Sequence, residues 1–246
     1  MDSPMRPPSL EPANAVAPAE PRQRWRVRFR RLPDAPALPQ REQQAAWEEA
    51  LAACGLPLAG LDLPVPRPRI VMGAPLTVGM PAEGELVDLL LVERLPVDVV
   101  RGRLAAALPV GHELVDLHDV WLGEPSLAGR VVAADYRVEL AAADRGPDPG
   151  RLALASETLL AAPTLPRTRD KGGRAVSYDL RPLVAAIDVL AEVPDRATGL
   201  RIRTRFDPER GVGRPEEVLM ALSERLAEPI EARSIVRERL ILVGDE

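Results

Sequence analysis

The sequence is poor in the residues that build most redox and metal centres. In 246 residues it has one cysteine (Cys54), two histidines (His112 and His118) and one lysine (Lys171). A single cysteine cannot close an intrachain disulfide, nor can it alone hold a zinc or iron–sulfur cluster. The expectation is a chain with no cofactor and no metal of its own. Cys54 falls at the apolar end of a helical pattern, where packing is the simpler role. Aromatics are 3% of the residues, too few for a sheet that reads RNA bases by stacking, and Trp25 and Phe29 are expected to face a core. The longest apolar run, residues 86 to 92, is broken by Asp88 and too short to span a bilayer. No apolar stretch follows a basic start, so no secretory signal and no membrane are expected, and the expected location is cytoplasmic. Nucleophile elbow, Walker loop and dinucleotide fingerprint are all missing, which removes support from hydrolase, kinase and dehydrogenase readings. The net charge of −5 argues against a general nucleic-acid coat protein.

What the chain does have is arginine in alternation. Arg24, Arg26, Arg28 and Arg30 interleave with Trp25, Val27 and Phe29, and Arg201, Arg203 and Arg205 interleave with Ile202, Thr204 and Phe206. Side chains of a strand point alternately to opposite faces, so each stretch presents one cationic row and one mostly apolar row. The pattern predicts a sheet with one wet, positive face. Two roles are open for that face: an anion- or partner-binding surface, or a lattice in which neighbouring acids neutralise the arginines.

Residues 1–21 carry six prolines among alanines and acids without apolar periodicity and read as a flexible tail. A strand over 24–30 is followed by a helix over 39–54, with Trp47, Leu51 and Cys54 on one face. Strands over 69–74 and 85–93, a helix over 96–108 carrying Val97, Val100 and Leu104, and a strand over 113–122 come next. The order β-α-β-β-α-β is that of a ferredoxin-like unit. From residue 130 the theme repeats: a strand over 130–140, a helix near 151–160, a hairpin of 164–169 with 174–180, strands over 185–192 and 200–206, a helix over 215–226 and a strand over 231–243. The fold class expected is α+β, with two ferredoxin-like halves in tandem, 22–125 and 126–246, and extra strands in the second.

Four small constellations bear on chemistry. Asp116 and His118, at alternate strand positions beside His112, Glu113 and Asp119, could contribute to a metal site, though a half-exposed strand explains them. Glu83, Glu85 and Asp88 could supply paired carboxylates, but a polar rim at a strand start is the better expectation. Lys171-Gly172-Gly173-Arg174 combines two cations with open backbone N–H groups, the parts of a phosphate nest or of a plain hairpin tip. Arg67 and Arg69, set among Pro66 and Pro68, could extend the Arg24 to Arg28 face.

The blocks Gly55-Leu56-Pro57-Leu58-Ala59, Pro66-Arg67-Pro68-Arg69-Ile70, Pro75-Leu76-Thr77-Val78-Gly79 and Glu85-Leu86-Val87-Asp88, together with Tyr178-Asp179-Leu180-Arg181-Pro182 and Ile235-Val236-Arg237-Glu238-Arg239-Leu240, resemble the radical-SAM-linked domain of unknown function. That family occurs as a separate chain or fused behind a radical SAM enzyme, and this chain reads as a stand-alone, divergent member. Where the family usually has Phe, Ser, His and Asp, the sequence runs Ala37-Leu38-Pro39-Gln40-Arg41-Glu42, and the family's aromatic positions fall on Gly60 to Val65. The resemblance implies a radical SAM protein as partner. It cannot be this chain, which lacks the three cysteines of that cluster.

The expected function is therefore an accessory binding protein, more a module than an enzyme, docking a radical SAM partner or that partner's RNA substrate. Binding residues expected are Arg24, Arg26, Arg28, Arg67, Arg69, Lys171, Arg174, Asp179, Arg181, Arg201 and Arg203. The alternative is an RNA-processing or RNA-modifying enzyme with its site in the cleft between the halves. A carboxylate or histidine at the bottom of an arginine-lined cleft would favour the alternative.

Overall fold

Alternating apolar and arginine side chains make residues 23 to 31 a strand, and in the computed structural model this strand has a neighbour on each side. The structure describes residues 19–141, 147–170, 172–190 and 198–245. Most of the expected N-terminal tail, and Lys171, lie outside them. In chain order the elements are β1 (Gln23–Arg31), α1 (Gln40–Ala52), β2 (Ile70–Met72), β3 (Ala82–Leu91), α2 (Val97–Ala105), β4 (His112–Val120), α3 (Leu127–Arg130) and β5 (Val131–Leu140). They continue with α4 (Pro149–Ala161), β6 (Pro166–Asp170), β7 (Ala175–Asp179), β8 (Val184–Leu190), β9 (Gly199–Asp207), β10 (Gly211–Val212), α5 (Pro215–Leu226) and β11 (Ala232–Leu242).

The fold is α+β and dominated by one large mixed sheet. Among the described residues nine strands join it in the order β10-β9-β5-β11-β3-β1-β4, with β2 beside β3 and β8 beside β9, while β6 and β7 form a separate hairpin. Every pairing is antiparallel except β11 with β3. Trp25, Val27 and Phe29 bury one face of β1 against Trp47 and Leu51 of α1 and Val100 and Leu104 of α2. Val138, Leu140, Leu200 and Ile202 do the same against Leu152 and Leu159 of α4 and Val218 and Leu222 of α5. Each such leucine or valine contributes about 1.5–3 kcal/mol by leaving water, so the helices lie where the apolar rows are. The arginine rows are left on the opposite face.

Helix ends follow local chemistry. Asp148 caps α4 by accepting from the Arg151 N–H at 2.9 Å, and Pro149 opens the first turn. Pro215, Glu216 and Glu217 start α5, as their fixed φ and negative charge favour. Two short elements escape the sequence reading, α3 with four residues and β10 with two, because neither is long enough to show periodicity. In α2 the buried side chains are Val100 and Leu104, whereas Val97, expected on the same face, is 41% exposed at the first helical position.

The two groups of strands meet along β3 and β11. Their backbone contact is narrow: Arg237 is opposite Ala82, and its N–H donates to Pro81 O at 3.1 Å. Gly84 lets the chains close, since a Cβ there would lie 2.7 Å from Glu238 O. The side chains complete the join. Arg237, 1% exposed, donates to both oxygens of Glu85 at 2.6 and 2.5 Å and to Pro75 O at 2.8 Å.

Ala227, after α5, holds φ 55° and ψ 31°, a left-handed conformation that costs a non-glycine residue about 1 kcal/mol. Ala227→Gly is expected to raise the unfolding free energy by a few tenths to about 1 kcal/mol, the gain being reduced by the added freedom of the unfolded chain. Urea denaturation checks this, and a lowered midpoint would contradict it.

Candidate functional site

The expected wet cationic row stands on β1 only at Arg28 and Arg30. Arg24 and Arg26 are 5% and 3% exposed, and between them lies Asp88 at 0%. Asp88 on β3 is the register partner of Arg26. It accepts from Arg24 Nε at 2.7 Å and from Arg26 Nε and a terminal nitrogen at 2.8 and 3.0 Å. Arg24 also donates to Glu124 O at 2.9 Å and Pro125 O at 3.0 Å, which fixes the turn after β4. Neutralisation by a neighbouring acid is the role that prevails here, because two buried guanidinium groups are tolerable only with a shared counter-charge. The polar rim expected at Glu83, Glu85 and Asp88 is corrected in the same way at Glu85 and Asp88, while Glu83 is exposed. Glu85 and Asp88 are buried anchors for arginines, and Glu83 receives Arg137 at 2.6 Å.

The second arginine row is also answered by acids. Arg203 grips Asp135 in bidentate fashion at 2.7 and 3.0 Å, and Arg239 adds a bond to the same carboxylate at 2.8 Å. Arg201 donates to Glu238 at 3.0 Å and Arg137 to the other Glu238 oxygen at 2.8 Å. Burial alone would raise the Asp135 carboxyl, but the hydrogen bonds from Arg203 and Arg239 outweigh it and hold it below the ordinary aspartate range. Burial would lower the Arg237 guanidinium, yet the charge of Glu85 and its hydrogen bonds raise it.

Where the arginine faces of the two strand groups meet, the sheet opens into a cleft of about 520 Å³. Gly84, Leu86 and Leu240 are among its lining residues, and Arg28, Arg130 and Arg239 bring cations to it. Arg28 is exposed and has no carboxylate within ion-pair distance among the described residues. Its register partner on β4, Asp116, is engaged by the Leu117 N–H at 2.8 Å and by Arg101 at 3.3 Å. Those two bonds hold the Asp116 carboxyl low, and Arg28 adds to the effect through space. Arg239 keeps 60% of its side chain exposed while bonded to Asp135. Arg130 reaches Glu124 at 2.6 Å. Trp121, 75% exposed, borders the same cleft with His118 and Asp119.

Of the residues expected to bind, Arg26 and Arg28 line this cleft; Arg26 does so from a buried ion pair. Arg67 turns to Glu48 of α1 at 2.5 Å, on the helix side of the sheet, instead of extending the β1 row. Arg69 is exposed ahead of β2, and Arg174 is exposed on the hairpin. Asp179 accepts from the Leu165 and Arg181 N–H groups at 2.7 and 3.0 Å, and Arg181 donates to Leu160 O and Val184 O at 2.8 Å each, so both stitch loops. The histidines do not converge: His112 packs on Phe29 and Trp47 with ring centroids 5.7 and 5.6 Å apart, while His118 faces the cleft. Cys54 is half-buried against the first core, and burial pushes its thiol up. Sequence reasoning missed Arg130, Arg239 and Trp121. Alternation in Arg237-Glu238-Arg239 was a usable signal for Arg239; none marked the other two.

Asp88→Asn leaves two buried arginines facing a neutral amide and is expected to cost about 3–5 kcal/mol, read as a lower urea midpoint. Replacing all three partners, Arg24→Met, Arg26→Met and Asp88→Leu, should recover most of that loss. A midpoint unchanged in the single variant would refute the pairing.

Acid should unfold the protein in two stages. Burial lowers the His112 pKa, so its native form binds fewer protons than the unfolded chain, and stability starts to fall as pH drops through about 6.5. The depressed Asp135 carboxyl adds a second loss below about pH 3.9, as pH approaches its folded value. His112→Phe is expected to abolish the first stage alone; equal profiles for variant and wild type above pH 5 would count against it.

Fold and site together define an α+β protein with a charged cleft at a sheet seam. Residues 24–210 match the family described as an uncharacterized protein conserved in bacteria, DUF2344, and the chain belongs to that family. No curated protein matches. Among solved structures, a crystal structure of a Cbf5-Nop10-Gar1 complex aligns with 87% of this chain and 49% of its own at 13% identity and a TM-score of 0.45. A crystal structure of the archaeal box H/ACA sRNP Nop10-Cbf5 complex aligns with 86% and 46%, at 10% identity and a TM-score of 0.41. The chain thus spans about half the length of each. Among the described residues no helix is long and apolar enough to cross a membrane.

Proposed function

We propose that this protein is a binding module of the radical-SAM-linked kind, which holds RNA for a radical SAM partner in the cleft at the sheet seam. The observation that carries the RNA arm is the exposed Arg28, without an ion-pair partner among the described residues, lining the same open cleft as Arg239. Planar guanidinium groups with free donors bind phosphate oxygens well. The radical SAM arm rests on the sequence resemblance over residues 55–88 and 178–182.

Two ferredoxin-like halves, 22–125 and 126–246, are supported by strand order. β4-β1-β3-β2 and β11-β5-β9-β8 repeat one antiparallel arrangement, the one a split βαβ unit produces. The cleft then falls between halves, where a pair of units can grip a strand of RNA. The enzyme alternative is less favoured because Asp88, the carboxylate beneath Arg26, is fully buried and committed to two arginines. His118 and Asp119, which also line the cleft, are both exposed and not set at its bottom, and Asp119 already accepts from Gln23 at 2.9 Å.

Single-stranded RNA titrated at several salt concentrations tests the reading. Two phosphate contacts, Arg28 and Arg239, predict a log–log salt slope of about −1.4. Arg28→Glu is expected to weaken binding at least about tenfold and flatten the slope by about 0.7. Arg26 is unsuitable for this purpose, since its reversal would set two carboxylates against each other in the core. RNA binding unaffected by Arg28→Glu, or no binding at low salt, would overturn the site.

A further inference from the structure

We infer that Trp121 is a stacking platform for one unpaired nucleobase, so that the cleft selects single-stranded over double-stranded RNA; this deepens, and rests on, the reading of the cleft as an RNA site. Trp121 is 75% exposed, while Trp25 and Trp47 are 4% and 1% exposed. A lone surface tryptophan is ordinary, but three features set this one apart. It borders the cleft that holds Arg28 and Arg239, so a ring face and phosphate ligands share one opening. Its turn is held from below: the Glu124 N–H bonds Trp121 O at 3.0 Å, and buried Arg24 clamps Glu124 O and Pro125 O. The indole also lies over Gly123, where a Cβ would come within 2.5 Å of its outer ring atoms.

A platform fixed in this way loses little side-chain freedom on binding, which favours stacking. Every base has a π-face, so the contact tolerates sequence but requires the base to be out of a helix. In a duplex the bases stack on one another, and the indole has none to receive.

The test uses the full chain and two probes, a short single-stranded oligoadenylate and an RNA duplex of equal length. Binding is read by anisotropy and by quenching of tryptophan emission. The single strand is expected to bind more tightly and to quench the exposed tryptophan. Trp121→Ala should lose about tenfold in affinity for the single strand and little for the duplex. Gly123→Ala provides a second variant: Gly123 has no positive φ, so the backbone accepts alanine, while the indole must move off its seat. It should reduce quenching with Arg28 and Arg239 in place. If Arg28→Glu abolishes binding but Trp121→Ala and Gly123→Ala leave affinity, quenching and strand preference unchanged, the stacking platform is refuted while the RNA site stands. If neither probe binds at low salt, the RNA site fails and stacking with it. If Trp121→Ala instead breaks a complex with a protein partner and leaves RNA binding intact, the inference is likewise overturned.

Discussion

The buried ion pair of Arg237 and Glu85 joins the sheet across its narrowest point. On one side lie β1, β2, β3 and β4; on the other, β5, β8, β9, β10 and β11. Among the described residues β3 and β11 are the strands that pair across the seam, with one backbone register pair, Arg237 opposite Ala82. A seam that thin would leave polar backbone without partners. Arg237 supplies what the ladder does not, through both Glu85 oxygens and Pro75 O. Its guanidinium stays charged at any working pH, so Glu85 always faces a cation. The cleft exists because the two sheet portions meet without merging.

Arginine plays two roles on this sheet, and the local supply of carboxylates separates them. Arg24, Arg26, Arg201 and Arg203 oppose Asp88, Glu238 or Asp135 and become structural. Arg28 stands opposite Leu86 on one neighbour and an already engaged Asp116 on the other, and so remains available. Whether a carboxylate on a neighbouring strand lies within reach of the guanidinium, directly opposite as Asp88 is to Arg26 or diagonally as it is to Arg24, separates a tether from a group open to a ligand. The acidic net charge of −5 is compatible with this arrangement, since binding depends on the field inside the cleft and not on the sum over the chain.

Sequence periodicity found most elements because their apolar faces are regular. Val218, Leu219, Leu222 and Leu226 mark α5 from Pro215 to Leu226, and Trp47 with Leu51 marks α1. It missed α3 and β10, of four and two residues, which are too short to repeat a period. The alternation at Arg24 to Arg30 marked a strand that reaches the cleft through Arg26 and Arg28, and it placed Arg24 and Arg26 on a wet face where they are in fact buried. Arg67 was expected on the same face because both segments are extended, yet it lies on the helix side with Glu48. Trp121 gave no signal, since the exposure of one aromatic after a strand depends on what the rest of the chain leaves uncovered.

The sequence by itself determined most of the strands and helices and which rows are apolar, because those properties arise from neighbours three or four residues apart, or two. It also determined that no cysteine cluster could be built. Only the tertiary structure decided that Asp88 sits under Arg24 and Arg26, that Glu85 meets Arg237 from 152 residues away, and that Arg28, Arg239 and Trp121 share one opening. These are pairings between distant segments, fixed by strand order and register. A one-residue slip in register would exchange the two faces of each strand and leave no trace in the periodicity of either.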